Sequence, residues 1–239
     1  MKKSLLMLLL LAAIGKTEAQ RGLEIGIIAL PQVSAMIDTT WWNAGEELNY
    51  APTFKLAAGV QASLNLTHNI GIGAGFLYSN QGQHFTTGPD YQLLDTMGNA
   101  VSIPQRKFGL DLLYYKIPVF IKLNTSIQSP ISFVFMAGLQ MGLLQKARYF
   151  DKGLTDNGQV IFPAVDQDYM AQFNEQDISA MFAIDGRYNF GRKFHISLLL
   201  RGDYSLKTVV KASTTGQPTR NIRNANLGIQ IGLHYVIGR

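Results

Sequence analysis

The sequence predicts an all-β chain folded as an eight-stranded antiparallel up-and-down transmembrane β-barrel. Three observations carry that prediction. First, between Thr53 and Leu66 the even positions Phe54, Leu56, Ala58, Val60, Ala62, Leu64 and Leu66 are all apolar, while Lys55, Gln61, Ser63 and Asn65 stand between them. A period of two is a strand with one apolar face, and this one outruns the usual five or six residues and suits a bilayer crossing of roughly 9 to 11. Second, the pattern recurs along the chain, and its apolar faces carry no lysine, arginine, aspartate or glutamate. A charge facing lipid at the bilayer midplane costs roughly 2 to 4 kcal/mol, which accounts for the absence. Third, the connections alternate between tight turns and long loops, the asymmetry of a barrel with turns at one membrane surface and loops at the other.

The strands follow in order. The first has the weakest pattern: Leu23, Ile25, Ile27 and Ala29 share a face, and Pro31 is expected to end it. The second is Thr53 to Leu66. In the third, Ile70, Ile72, Ala74, Phe76 and Tyr78 alternate with Gly71, Gly73, Gly75, Leu77 and Ser79. The fourth sets Leu113, Tyr115, Ile117, Val119, Ile121 and Leu123 against Tyr114, Lys116, Pro118, Phe120, Lys122 and Asn124. Pro118 lacks an amide hydrogen and marks a local break in pairing. The fifth turns Phe133, Phe135, Ala137, Leu139, Met141 and Leu143 outward, the sixth Ile178, Ala180, Phe182, Ile184, Tyr188 and Phe190. The seventh does the same with Phe194, Ile196, Leu198, Leu200 and Tyr204, the eighth with Leu227, Ile229, Ile231, Leu233 and Tyr235. Tight turns at Thr67 to Asn69, Thr125 to Pro130 and Gly191 to Lys193 alternate with long loops at Pro31 to Pro52, Asn80 to Lys107, Gln145 to Asp177 and Leu206 to Ala225. Phe54, Tyr78, Tyr149 and Tyr204 read as an upper aromatic girdle, and Phe133, Tyr188, Phe190, Phe194 and Tyr235 as a lower one.

Residues 1–19 read as a secretory signal peptide, with Lys2 and Lys3 before an apolar stretch from Leu5 to Ile14 and small residues up to Ala19; residues 20–239 are then the barrel domain. The chain carries 21 basic and 16 acidic residues, and loss of Lys2, Lys3, Lys16 and Glu18 with the signal leaves 18 against 15. So small an excess, without a basic run, makes no case for nucleic acid. Charged residues are only 15%, and no cysteine is present, which excludes disulfides and thiolate metal sites. These features place the barrel in a bacterial outer membrane.

Candidate chemistry starts with Asp185, Arg187, Arg201 and Asp203 on the polar faces of strands six and seven. Pairing Phe190 with Phe194 sets Asp185 opposite Leu199 and Ala183 opposite Arg201, so Asp185 and Arg201 become diagonal neighbours. An ion gate or proton relay is one reading; a salt-bridge plug is the plainer one, because side chains fill an eight-stranded barrel. Lys55, Lys116, Lys122 and Glu24 are expected to extend this network. No catalytic or metal-binding set and no cofactor are expected: of the four histidines His68 lies in a turn, His195 and His234 sit low on the polar face, and His84 near the outer rim has only Asp90 nearby. Asp151, Asp156 and Asn157 lack the ordered ligand run of a calcium loop. Trp41, Trp42 and Tyr50 in the first long loop are candidates for binding a partner or glycan, or for dipping into the outer interface.

The stretch Tyr114-Tyr115-Lys116-Ile117-Pro118-Val119-Phe120-Ile121-Lys122-Leu123 resembles a strand signature of the PorT-like outer-membrane β-barrel proteins of the Bacteroidetes. Phe76 to Gly82, Ala137-Gly138, Leu200 to Leu206 and Leu227 to Tyr235 fall in the same order as similar residues of that family. The resemblance spans the barrel domain, and it departs at the end, where the chain runs past Tyr235 to Arg239. It implies an outer-membrane location, and some relatives serve type IX secretion and gliding. The expected function is therefore a non-enzymatic structural or interaction barrel, with outer-membrane lipid and other envelope or secretion proteins as partners. A lipid-modifying enzyme and a small channel are the alternatives.

Overall fold

The computed structural model describes residues 22–38, 48–51, 53–67, 69–87, 92–94, 100–102, 107–125, 130–156, 159–190, 193–212 and 221–237. The signal segment 1–19, Trp41, Trp42, His68, Asp90 and Asn157 lie outside them.

Eight long strands carry the fold: β1 (Leu23–Asp38), β2 (Thr53–Asn65), β3 (Ile70–Thr87), β4 (Lys107–Asn124), β5 (Ile131–Asp151), β6 (Gln176–Phe190), β7 (Phe194–Ser205) and β8 (Ile222–Ile237). Each pairs antiparallel with its chain neighbours, and β8 returns to β1 from Leu23↔Ile237 to Asp38↔Ile222, closing the barrel. Closure leaves none of the eight strands with an open edge facing lipid. The apolar faces point outward: Phe54 is 80% exposed and Phe182 65%, whereas the inward Lys122 and Asp185 are at 0%. The expected outward set is the observed one through the lipid-facing zone.

Where the structure differs, the strands are longer than expected. β1 does not end at Pro31, and Val33, Ala35 and Ile37 keep its outward alternation. Its ladder to β2 runs unbroken through Pro31↔Leu56, while the ladder to β8 omits Leu30 and Pro31 without changing register. Pro118 behaves alike: the β3 ladder skips from Ala74↔Val119 to Leu77↔Lys116, and the β5 ladder continues through Pro118↔Gln140. Each proline costs pairing on one side only, because a strand residue directs its single N–H to one neighbour.

β3, β4 and β5, with 18, 18 and 21 residues, also run far past the apolar zone, into segments expected to be loops. Short strands extend this projection on both sides, Leu48–Ala51 along β3 and Val165–Asp168 along β5. The result is a five-stranded wall standing above one side of the barrel. Tyr50 takes the ladder position opposite Phe85 in it. Within the wall β5 bulges at Gln145, between the pairs Tyr114↔Leu144 and Leu113↔Lys146. Both Gln145 and Lys146 are exposed, and beyond them the inward positions become Ala147, Tyr149 and Asp151. Tyr149 therefore leaves the predicted outer girdle and meets the Tyr169 ring at 5.3 Å. An extra residue reverses the phase of all that follow, which a strict alternation cannot anticipate.

Candidate functional site

The inward side chains form layers. Nearest the tight turns, Glu24 of β1 is the hub of an ionic cluster. Its Oε1 accepts from Arg187 Nη1 at 2.9 Å, and its Oε2 from Lys122 Nζ at 2.5 Å and Ser63 Oγ at 3.3 Å. Arg187 Nε also donates to Asp185 Oδ2 at 2.6 Å. Two carboxylates against two cations leave the cluster neutral, the condition under which buried charges persist. Two imidazoles stack beside it, His195 on His234 with centroids 4.6 Å apart and planes 6° from parallel. Gly26 makes that possible, since a Cβ there would meet His234 Nδ1 at 2.3 Å.

Sequence spacing did not reveal one grouping. Glu24, His195 and His234, from three strands, bring one ligand atom each within 4.8 Å of one another. His195 Nε2 stands 2.9 Å from Glu24 Oε1. The identities suit a transition metal; the charges do not. Both oxygens of Glu24 already serve Arg187 and Lys122, and a divalent cation would add two positive charges to that buried pair. Ser197 Oγ lies 3.0 Å from His234 Nε2, which superficially completes a Ser-His-Glu series, yet Ser197 is fully buried and offers a substrate no approach.

Midway up the lumen a second cluster joins Arg201, Asp203 and Lys116. Arg201 Nε and Lys116 Nζ stand 3.1 and 3.3 Å from the two oxygens of Asp203, and Gln140 and Gln230 accept from the remaining guanidinium nitrogens. The predicted register Asp185↔Leu199 and Ala183↔Arg201 is observed. The predicted Asp185–Arg201 contact is not: each acid is claimed by the arginine or lysine of its own layer. Between the layers lies an apolar cluster of Phe120, Val134, Met136, Met181, Ala183 and Leu199. Higher still, Ser205 Oγ donates to Asp177 at 2.8 Å.

A lid closes the outer mouth. The segments around the 3₁₀ turn Met170–Gln172 and around Val209 are tied together by Asn174 N to Val209 O at 2.8 Å and Lys211 N to Gln172 O at 2.9 Å. They press Phe173 and Val209 into a buried cluster with Met36, Leu112, Tyr114, Leu144 and Ala147.

Lys55 belongs to neither buried cluster, contrary to expectation. It pairs with Asp111 at the foot of the wall, where His84 Nε2 also approaches Asp111 Oδ1 at 3.1 Å. Burial pushes the Asp111 carboxyl up, but hydrogen bonds from Lys55 and His84 outweigh it and hold the group below its ordinary value. Further along the outward face Arg148 forks onto Asp166, keeping that carboxyl low as well. The His84 ring meets Phe150 edge-on at 5.0 Å across Gly109, where a Cβ would strike His84 Cδ2 at 2.8 Å. Asp111, Arg148, Phe150, Asp151, Lys152 and Asp166 border a depression of about 420 Å³ with Ala164 and Val165.

The model of the outer membrane protein β-barrel domain matches residues 18–211. The chain belongs to this family. Its place is accordingly the bacterial outer membrane, as the apolar belt requires. No curated protein matches the sequence. Among solved structures it is similar to Neisserial surface protein A, at 10% identity over 88% of this chain and 96% of that one, TM-score 0.45. It is similar to outer membrane protein W of E. coli, at 11% over 92% and 100%, TM-score 0.44. It is also similar to the outer membrane protease OmpT of Escherichia coli, at 11% over 90% and 97%, TM-score 0.47.

Proposed function

We propose that this barrel is a non-enzymatic, non-conducting interaction protein of the cell envelope, acting through its outer wall and loops. Its sharpest form is the part of a PorT-like secretion accessory. The observation that carries the reading is the filling of the lumen: Lys122, Asp185, Ser197, Ser205 and Gln230 point inward and are fully buried. A water-filled pore would leave such groups solvated. With the interior closed, the wall and the predicted loops are the surfaces left to meet partners, and Trp41, Trp42 and Tyr50 are proposed as contacts there.

Two measurements test this. Purified barrel in planar bilayers is expected to give no stable single-channel steps, and reproducible steps of porin size would end the non-conducting reading. Surface and secreted proteins of a clean deletion strain are then compared with the parent by quantitative mass spectrometry. Loss of a set of cargo proteins, restored by the plasmid-borne gene, supports the secretion role; an unchanged profile removes it.

The His84–Asp111 pair at the rim favours one competing reading, a lipid-modifying enzyme whose imidazole acts as a base. Under the proposal, His84→Ala leaves the mass of the outer-leaflet glycolipid unchanged; a changed mass would establish the enzyme.

A further inference from the structure

The outward face of the wall rises from the lipid-facing belt without interruption. Along β4 the outward positions run Leu123, Ile121, Val119, Ile117, Tyr115, Leu113 and then Asp111. Along β5 they run Leu139, Met141, Leu143 and, past the bulge, Lys146, Arg148 and Phe150. Tyr115 groups with Tyr78 and Phe76, ring centroids 5.9 and 5.4 Å away, at the top of the apolar zone. Asp111 is four residues above Tyr115, which for a tilted strand is about 10 Å. A saccharide headgroup that extends outward from the level of the interfacial tyrosines would reach a surface at that height.

We infer that this face is a binding site for the phosphorylated saccharide headgroup of an outer-leaflet glycolipid. Several side chains of the depression have a match in such a ligand. The Phe150 ring, fixed by its edge contact with His84, offers a flat apolar face to a sugar ring. Asp111 and Asp166 carry acceptor oxygens for sugar hydroxyls, and Arg148, whose Nε and Nη2 both donate to Asp166, fixes that carboxylate in place. Exposed Lys146 and Lys152 flank the depression below and above, placed for phosphates. Its volume of about 420 Å³ suits one or two sugar rings. A bulk electrostatic attraction is not the mechanism, because acids and bases balance: Lys55, Lys146, Arg148 and Lys152 stand against Asp111, Asp151, Asp166 and the neighbouring Asp168. The specificity comes from placement. The bulge at Gln145 is the device that creates it, since without the extra residue Arg148 and Phe150 would point into the mouth of the barrel. This inference is independent of the secretion reading, which concerns protein cargo.

The test uses the full-length barrel, extracted in mild detergent and loaded with purified short-core lipopolysaccharide as the probe. The paired lysine reversal Lys146→Glu/Lys152→Glu and, separately, Phe150→Ala are compared with Lys207→Glu, an exposed residue outside the wall. Folding is checked by the heat-dependent gel shift of closed barrels. The wild type and the Lys207 variant are expected to retain glycolipid through detergent washing, and the lysine reversal about tenfold less. Excess inorganic phosphate should release the glycolipid from the wild type, a readout that needs no variant. Equal retention by every variant, together with no release by phosphate, overturns the inference. If delipidated core saccharide binds as tightly as the intact glycolipid, the site serves a free glycan and the assignment to the lipid fails.

Discussion

The lipid-embedded half of the barrel and the wall above it are built from the same strands under opposite rules. Below Tyr78 and Tyr115 the outward residues are apolar, and the charges of Glu24, Lys122, Asp185, Arg187, Lys116, Arg201 and Asp203 all point inward, where each is paired. Above that level the arrangement turns inside out. Arg148, Asp111 and Asp166 face outward, and the apolar Leu112 and Ala147 are buried beneath Phe173 and Val209 of the lid. The difference follows the solvent: lipid forbids charge on the outer face, while headgroups and water invite it. A strand that crosses both zones must change its pattern, and β5 does so with one extra residue.

The comparison can be broken most forcefully in the lower layer. Glu24→Gln leaves Arg187 and Lys122 buried beside a neutral amide, and the loss of stability should be about 3 to 5 kcal/mol, read from urea unfolding of the refolded barrel. A loss below about 1 kcal/mol would mean that water reaches the cluster. Next in size, Leu139→Arg places a charge on the lipid face and should cost roughly 2 to 4 kcal/mol. The same exchange at Phe150, above the lipid, should leave the unfolding midpoint nearly unchanged, and an equal cost at both sites would show that the apolar belt reaches higher than the tyrosines. The smallest effect is acid sensitivity. Because the folded Asp111 carboxyl is held below its ordinary value of about 3.9, its contribution is fully present above that pH and is lost as pH falls through the lower folded value. Amide protection factors, from which the intrinsic pH dependence of exchange has been removed, should therefore fall at the outer ends of β3 and β4 only below about pH 4. A fall near neutrality would assign the effect to another group.

Much of the barrel is legible in the chain because lipid acts on single residues. An outward position is apolar or it is not, so seven of the eight strands and the Phe190↔Phe194 register follow from alternation and turn length. The first strand was cut short because Pro31 reads as a stop; beyond it Val33, Ala35 and Ile37 keep the outward alternation, and the pairing with β2 and β8 carries the strand through the proline. The wall was invisible for a different reason. With water or headgroups on its outer side and the lid on its inner side, it obeys no single alternation. The charged residues of the lumen were recognised, but their partners were not. Which acid meets which base depends on side chains from across the barrel: Glu24 with Lys122, ninety-eight residues away, and with Arg187, one hundred and sixty-three away. The convergence of Glu24, His195 and His234 had no signal in spacing at all.

The bulge at Gln145 separates the two halves of β5 as objects of evolutionary change. Loss of that one residue would restore strict alternation and exchange the faces of everything beyond it, sending Tyr149 and Asp151 outward and Arg148 and Phe150 toward the mouth. The membrane-spanning part would keep its register with β4 and β6 throughout. A lineage could thus reverse the outward chemistry of the wall by a single-codon deletion, with no effect on insertion into the membrane.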